Sequence, residues 1–359
     1  MDTLTYNQSE IRFGNLKDSG FNALLSSPRY AQSKKIIITD ENVFDLWMED
    51  FITSFEALSE AEIIQLPPGE ENKVLDICNH VWSALSEYEI GRNDLIINLG
   101  GGVITDMGGF IAATFKRGLS FINIPTTLLS QVDASVGGKT GIDLGPYKNQ
   151  IGVFADPDYV FIDSRYLATL PNVELDSGFA EMLKHGLIAD ANYWNALKSV
   201  DPKIIPAGLL ETIHQSVLIK RKIVTEDHLE QGQRKNLNFG HTIGHALEGF
   251  CLSNNKPIPH GFAVAWGMIA ESFISCEMGL IDTNLFEDIN TTIRSRYTHL
   301  NISIADIDQI KPLLLNDKKN VNGSISFTLL TDIGQAIYNQ NVNDELIDAA
   351  IRFILNHEA

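Results

Sequence analysis

The stretch "NFGHTIGHALE", residues 238 to 248, sets His241 and His245 one helical turn apart on one side of a helix. No glutamate stands beside the first histidine, so the His-Glu-x-x-His pattern of metalloproteases is absent. Two imidazoles at i and i+4 can share one divalent metal, but a catalytic zinc site generally takes three protein ligands and leaves a position open. A third ligand must come from another segment. One candidate is His260 in "PIPHGFAVAWGMIAESF", at the apparent start of a helix whose positive end keeps an imidazole neutral. The other is Glu181 in "SGFAEMLKHGLIAD", where Glu181 and Lys184 share a helix face. The plainer alternative is a pair of solvated histidines and a surface ion pair worth roughly 0.2–0.5 kcal/mol.

With Asn238 as N-cap, Phe239, Ile243, Ala246, Leu247 and Phe250 fall in one apolar stripe, and His241, His245 and Glu248 lie opposite. The histidines therefore face water, or another segment covers them to make a site. Just upstream, "KRKIVTEDHLEQGQRKNLNFGH" supplies Lys220, Glu230, Arg234 and Asn238, groups suited to an anion beside a metal or simply to a solvated helix.

A second concentration of chemistry lies earlier. The strand-like "DLIINLG" runs into "GGGVITDMGGFIAATFKRG", where glycines open into a helical pattern. Such a turn brings backbone N–H groups and a helix N-terminus to a phosphate, although Thr105 stands where a G-x-G-x-x-G fingerprint has its third glycine. A tight strand-to-helix turn is the alternative. An earlier strand ends in "TDEN", whose Asp40 and Asn42 could meet a ribose or merely cap a helix. Residues 101 to 152 hold four Lys or Arg, three Asp and no Glu, and "IPTTLLSQVDASVGGKTGIDLGPYKNQIG" reads as a basic, glycine-rich loop with Lys139, Lys148 and Asn149. Local positive charge of this kind suits a phosphate or carboxylate.

The elements that must hold these groups follow from the pattern. β-rich runs at 34 to 39, near 62, at 94 to 100, 120 to 126 and 159 to 163 alternate with helical segments, which predicts a Rossmann-like parallel sheet with helices on its faces. From about residue 168 the periods are helical until "SISFTLL" near 327. The reading is α/β: residues 1–166 form a parallel-sheet domain and 167–359 a mainly α-helical one. At 359 residues, two cores are the natural expectation. The net charge of −19 argues against nucleic acid and anionic membrane as partners. Three scattered cysteines, no basic apolar leader and no apolar run of about 18 residues predict a soluble cytoplasmic protein with reduced thiols.

Taken together, "LGGGVITDMGGFIAATFKRG", "IPTTLLSQVDASVGGKTGID", "KNQIG", "SGFAEMLKHGLI", "LNFGHTIGHALE", "HGFAVAWGM" and "NDKKNVNG" resemble, in order, the motifs of the 3-dehydroquinate synthases, within the sugar phosphate cyclases. The likeness runs from about residue 34 to 335. It implies a shikimate-pathway enzyme of aromatic amino acid biosynthesis that converts 3-deoxy-D-arabino-heptulosonate 7-phosphate to 3-dehydroquinate and phosphate. It also implies catalytic NAD, zinc or cobalt as the metal, and a homodimer.

By match to those motifs, Glu181, His241 and His260 ligate metal, and His245 is left as an acid/base group. Lys139, Asn149, Lys184, Lys220, Arg234, Asn238 and Asp133 contact substrate, Arg117 reaches the partner's site, and Glu230 matches a proton acceptor. One of Lys318 and Lys319 adds a further substrate contact. The NAD positions are Asp40, Asn42, Glu70, Lys73, Gly101, Gly102, Asp106, Thr126, Thr127 and Lys148. Two departures stand out. The family's His-Gly-Glu reads His260-Gly261-Phe262 here, so a carboxylate near the metal is expected to be missing, and "DLGPYKN" varies the loop before Lys148.

Overall fold

The computed structural model describes residues 3–145, 147–204, 206–314 and 325–356. The chain divides into two compact units, Met1–Pro171 with Ile205–Arg221, and Asn172–Ile204 with Lys222–Ala359.

In the first unit the strands are β1 (Thr3–Tyr6), β2 (Ser9–Phe13), β3 (Lys35–Asp40), β4 (Glu62–Leu66), β5 (Leu95–Gly100), β6 (Ser120–Pro125), β7 (Lys139–Leu144), β8 (Tyr147–Phe154) and β9 (Tyr159–Ile162). Seven of them form one sheet in the order β1-β2-β9-β6-β5-β3-β4. The runs "KIIITD" and "LIINLG" are buried without alternation, the polar Thr39 and Asn98 included, because β3 and β5 are covered on both faces. Ile37, Ile97 and Ile122 point to one core, with Phe51 of helix α2 (Glu41–Ser54); α1 is the short Phe21–Leu25. Ile36, Ile38 and Ile96 point to the other, with Val81 of α3 (Leu75–Glu87) and Ile111 of α4 (Gly102–Thr114).

The parallel strands β3, β4, β5, β6 and β9 stand in the spatial order 4-3-5-6-9. Because β4 lies on one side of β3 and β5 on the other, chain direction reverses between β3 and β5. Ligands of doubly wound sheets bind at that switch point, beyond the carboxyl ends of the strands. Asp40 ends β3 and Gly101 follows β5 there.

Two segments depart from the reading of the sequence. The first residues, which matched no motif, form the β1–β2 hairpin, and β2 extends the sheet parallel to β9. The basic segment 124–152 is more ordered than a loop: Ser130–Ala134 is a π-helical turn, and β7 and β8 pair as an antiparallel hairpin. Glycine supplied the close pairing and hid the strand pattern, since a Cβ on Gly152 would lie 2.3 Å from the Thr140 carbonyl oxygen.

The second unit contains α5 (Asn172–Ala189), α6 (Ala191–Leu197), the end of α7 (Leu210–Glu226), α8 (His241–Ser253), α9 (His260–Glu277), α10 (Thr283–Arg294), α11 (Ile307–Leu314) and α12 (Asp344–Leu355), with the hairpin of β10 (Ser326–Asp332) and β11 (Gln335–Asn341). Helices α8 and α9 run antiparallel: a Cβ on Gly244 would meet the Ala263 carbonyl oxygen at 3.0 Å, and one on Gly267 would meet the Gly240 carbonyl oxygen at 1.9 Å. Only hydrogen at those positions allows so close an approach.

Candidate metal and nucleotide sites

The apolar stripe read from the sequence is the buried face of α8, with Phe239, Ile243 and Leu247 each fully enclosed. Its N-cap, however, is Gly240 with φ of 78°, and Asn238 instead closes the 3-10 turn Gln233–Asn238. The left-handed backbone at Gly240 turns the chain into the helix, which an asparagine N-cap in extended geometry would not do. The opposite face is covered in part. His241 retains 12% side-chain exposure, His245 is exposed, and Glu248 is buried.

The covering group comes from α5. Glu181 and Lys184 are both buried, so theirs is not a surface ion pair; Lys184 Nζ is in contact with Glu181 Oε2. Oε1 of Glu181 lies 3.6 Å from His241 Nε2 and 3.7 Å from His260 Nε2. Lys184 answers Oε2, but Oε1 accepts no hydrogen bond, an arrangement costly for a buried carboxylate oxygen unless a further cation completes it. Ligand atoms bound at about 2.1 Å in tetrahedral geometry stand about 3.4 Å apart, close to the observed separations. Each imidazole also has its other nitrogen engaged. His241 Nδ1 donates to the Phe239 carbonyl oxygen at 3.1 Å, and His260 Nδ1 donates to Glu248 Oε2 at 3.2 Å. In that tautomer the Nε2 of each ring carries the lone pair, the form in which an imidazole coordinates a metal. The residues present therefore fit a divalent ion.

His245 completes a triangle of rings, its centroid 5.2 Å from that of His241 and 5.7 Å from that of His260. One nitrogen from each ring falls within 4.8 Å of the others. Position 262 supplies no carboxylate, since Phe262 packs edge-on against Tyr297 at 5.2 Å; the carboxylate that does reach His260 is Glu248 of α8.

The segment before α8 is organised by Asp227. Its Oδ1 accepts the N–H of Gln231 at 3.0 Å, and its Oδ2 those of Gly232 at 2.7 Å and Arg234 at 3.0 Å. Burial would raise its pKa, but these backbone donors override that and hold the carboxyl below its ordinary value. The loop so tied carries Glu230, at φ of 60°, whose Oε1 accepts from Asn238 Nδ2 at 2.8 Å, and the buried Arg234. Lys318 and Lys319 lie outside the described residues.

In the first unit, α4 starts at Gly102 with no side-chain cap. A Cβ on Gly101 would stand 2.9 Å from Thr127 Cγ2, so any larger residue there must displace the Thr127 side chain. Asp40 caps α2, accepting from the Val43 N–H at 3.1 Å, and burial raises its pKa. Asn42 is exposed in the first turn of α2, and Thr126 is buried just after β6.

Lys73 is buried, with Nζ 2.7 Å from Asp106 Oδ2, 2.7 Å from Asn149 Oδ1 and 3.7 Å from Glu70 Oε1. Lys148 Nζ is also 3.7 Å from Glu70 Oε1. Burial would lower the Lys73 pKa, yet Asp106 and Glu70 raise it, so the ammonium stays charged. Burial raises the Asp106 pKa against the pull of Lys73.

Asp143, which sequence reasoning missed, accepts the Asn149 N–H at 2.6 Å and holds Asn149 at φ of 51°. Lys220 Nζ binds Asp133 Oδ1 at 2.6 Å, which joins two expected substrate contacts. Lys139 is exposed at the start of β7, and Arg117 is exposed at φ of 71°.

A nucleotide-type parallel sheet followed by a mainly helical unit is the fold of solved sugar phosphate cyclases. A 2-deoxy-scyllo-inosose synthase solved with carbaglucose-6-phosphate, NAD+ and Co2+ superposes with a TM-score of 0.84 at 26% identity, covering 99% of this chain and 100% of that one. The fold is also that of a 2-epi-5-epi-valiolone synthase from Streptomyces hygroscopicus subsp. jinggangensis with NAD+ and Zn2+ bound, at TM-score 0.82 and 24% identity over 99% of this chain and 98% of that one. The models of the 3-dehydroquinate synthase N-terminal and C-terminal domains match residues 63–177 and 178–320. A 3-dehydroquinate synthase of Parabacteroides distasonis is 42% identical over 330 residues, 92% of this chain and 93% of that protein. The chain belongs to the 3-dehydroquinate synthase family.

Proposed function

We propose that the protein converts 3-deoxy-D-arabino-heptulosonate 7-phosphate to 3-dehydroquinate and inorganic phosphate, with NAD used catalytically and one zinc or cobalt ion. The observation that carries this reading is the buried Oε1 of Glu181, which accepts no hydrogen bond and faces the Nε2 atoms of His241 and His260. When bound, NAD supplies reversible hydride acceptance and the metal supplies Lewis acidity at the substrate oxygens being oxidised and reduced.

The chain's own groups do the rest. Glu181, His241 and His260 hold the ion. Asp40, Asn42, Gly101, Gly102, Thr126, Thr127 and the Glu70–Lys73–Asp106–Lys148 set hold the nucleotide. Lys139, Asn149, Lys184, Lys220 with Asp133, Arg234 and Asn238 bind the carboxylate, hydroxyls and phosphate of the substrate. His245, beside the ligands but exposed, moves a proton at the substrate, and Glu230 accepts one. A homodimer would let the exposed Arg117 serve the partner's site.

Among the described residues no helix is long and apolar enough to cross a membrane. The charge of −19 disfavours polyanionic partners, and we place the protein in the cytoplasm.

The test is an assay of purified protein with the heptulosonate phosphate, NAD and a divalent metal. Phosphate release without net NADH supports the reading. Lasting NADH would indicate a dehydrogenase, and no product in either channel would overturn the substrate assignment.

A further inference from the structure

The N-terminus of α8 has no side-chain cap of its own, because Gly240 occupies the cap position. A larger residue could not replace it: a Cβ there would meet Met268 Cγ at 2.5 Å and the Val264 carbonyl oxygen at 2.9 Å, in a backbone of positive φ. The free donors of the first turn are satisfied from α9. Glu271, fully buried, accepts the Gly240 N–H on Oε2 at 2.6 Å and the Thr242 and Ile243 N–H groups on Oε1 at 3.1 and 3.2 Å.

An anion at this end also complements the helix dipole, and hydrogen bonds to a carboxylate are stronger than neutral ones. Glu271 follows His260 by about three turns at 3.6 residues per turn, so the two share the face of α9 that meets α8. Where the cap grips, α8 has just begun: His241 is its first residue.

We propose that Glu271 is a positioning residue, fixing the first turn of α8 so that His241 Nε2 stands at ligand distance from the groups contributed by α5 and α9. The inference rests on the reading of Glu181, His241 and His260 as metal ligands. Glu271 touches neither metal nor substrate. Its effect passes through the backbone of residues 240–243, where its two oxygens serve three donors at once. Glutamine in its place keeps the shape but removes the charge and turns one acceptor into an NH2 group facing backbone N–H. The first turn then loosens, and His241 samples positions away from Glu181 and His260.

The test uses the full chain, freed of metal by dialysis against a chelator and titrated with Zn2+ against a chromophoric competitor. Thermal unfolding is recorded with and without Zn2+. The wild type should bind one zinc and gain stability from it. Glu271→Gln should keep its helical circular dichroism, bind zinc ~10–100-fold more weakly and lose most of the zinc-induced rise in Tm. Glu277→Gln, an exposed carboxylate on the same helix, should match the wild type on both readings. A cap with a purely structural role would lower Tm equally with and without zinc.

Wild-type zinc affinity in a folded Glu271→Gln overturns the inference and leaves the metal reading standing. A wild type that binds no zinc sinks the metal reading itself, and the inference with it. If Glu271→Gln does not fold, Glu271→Asp, which keeps the charge on a shorter arm, decides by the same readings. Unaltered zinc binding in it, or failure of both variants to fold, assigns Glu271 to the fold alone.

Discussion

Oε2 of Glu248 accepts the Nδ1–H of His260 at 3.2 Å, which ties the middle of α8 to the first residue of α9. The hydrogen bond sets the tautomer of His260 and adds to the basicity of its Nε2. Glu248→Gln can still accept the bond but lacks the charge, and Glu248→Ala removes it. Zinc affinity should fall by ~10-fold in the first and toward ~100-fold in the second, with the far-ultraviolet circular dichroism unchanged. Competition titration reads this directly; equal affinities in all three proteins would show that Glu248 does not tune the ligand.

Lys73 and Asp106 form a buried pair in the first unit, 2.7 Å apart, with Lys73 side-chain exposure of 3% and Asp106 of 18%. Lys73→Met leaves Asp106 without its main partner. A loss of about 3 kcal/mol is expected, at the low end for a broken buried pair because Asp106 keeps some contact with water. Denaturant unfolding measures it. The double variant Lys73→Met/Asp106→Leu should recover much of the loss while still binding NAD weakly, which separates stability from nucleotide recognition.

The two glycines where α8 crosses α9 predict a different failure. A Cβ on Gly267 would lie 1.9 Å from the Gly240 carbonyl oxygen, a backbone atom that cannot rotate away. Gly267→Ala must push the helices apart at a cost of about 3 kcal/mol, the upper range for overpacking. His241 and His260 separate with them. Both Tm and zinc affinity should drop, whereas alanine at Gly249, whose Cβ would meet nothing closer than Leu313 Cδ1 at 3.8 Å, should leave both unchanged.

The loop carrying Glu230 and Arg234 should depend on acid. The Asp227 pKa is held below its ordinary value of 3.8 by N–H groups of Gly232, Gln231 and Arg234, against a desolvation that would raise it. A depressed carboxyl contributes stability that is complete above the unfolded-state pKa and is lost as pH falls through the folded one. Thermal unfolding of the wild type should therefore weaken below about pH 4, and Asp227→Asn should show a smaller slope there. Identical slopes in the two proteins would contradict this account.

Much of this was legible in the chain. The alternation of β-rich runs such as "LIINLG" with helical segments identified the parallel sheet, and the stripe from Phe239 to Phe250 gave the buried face of α8. The pair separation of His241 and His245 suggested a metal but left the third ligand open between His260 and Glu181. Composition could not show that Glu181 lies beneath both imidazoles, since that depends on how α5 packs against α8 and α9. Asp143 and Glu271 were invisible for a related reason: each acts on backbone N–H groups, across the β7–β8 turn for Asp143 and about 30 residues back for Glu271, and no spacing rule links them. The one hint was a charge at Glu271 inside the apolar "AVAWGMIAESFIS", where burial demands partners.

The central claim is that one divalent ion is held by Glu181, His241 and His260, with His245 left for proton transfer. Metal content per chain after exhaustive dialysis, measured by mass spectrometry on the wild type and on Glu181→Gln, His241→Ala, His245→Ala and His260→Ala, tests it most directly. The account predicts about one equivalent in the wild type and in His245→Ala, the latter turning over slowly, and near none in the other three. Retention of metal by Glu181→Gln together with its loss from His245→Ala would show that the three histidines chelate on their own, and would contradict the assignment.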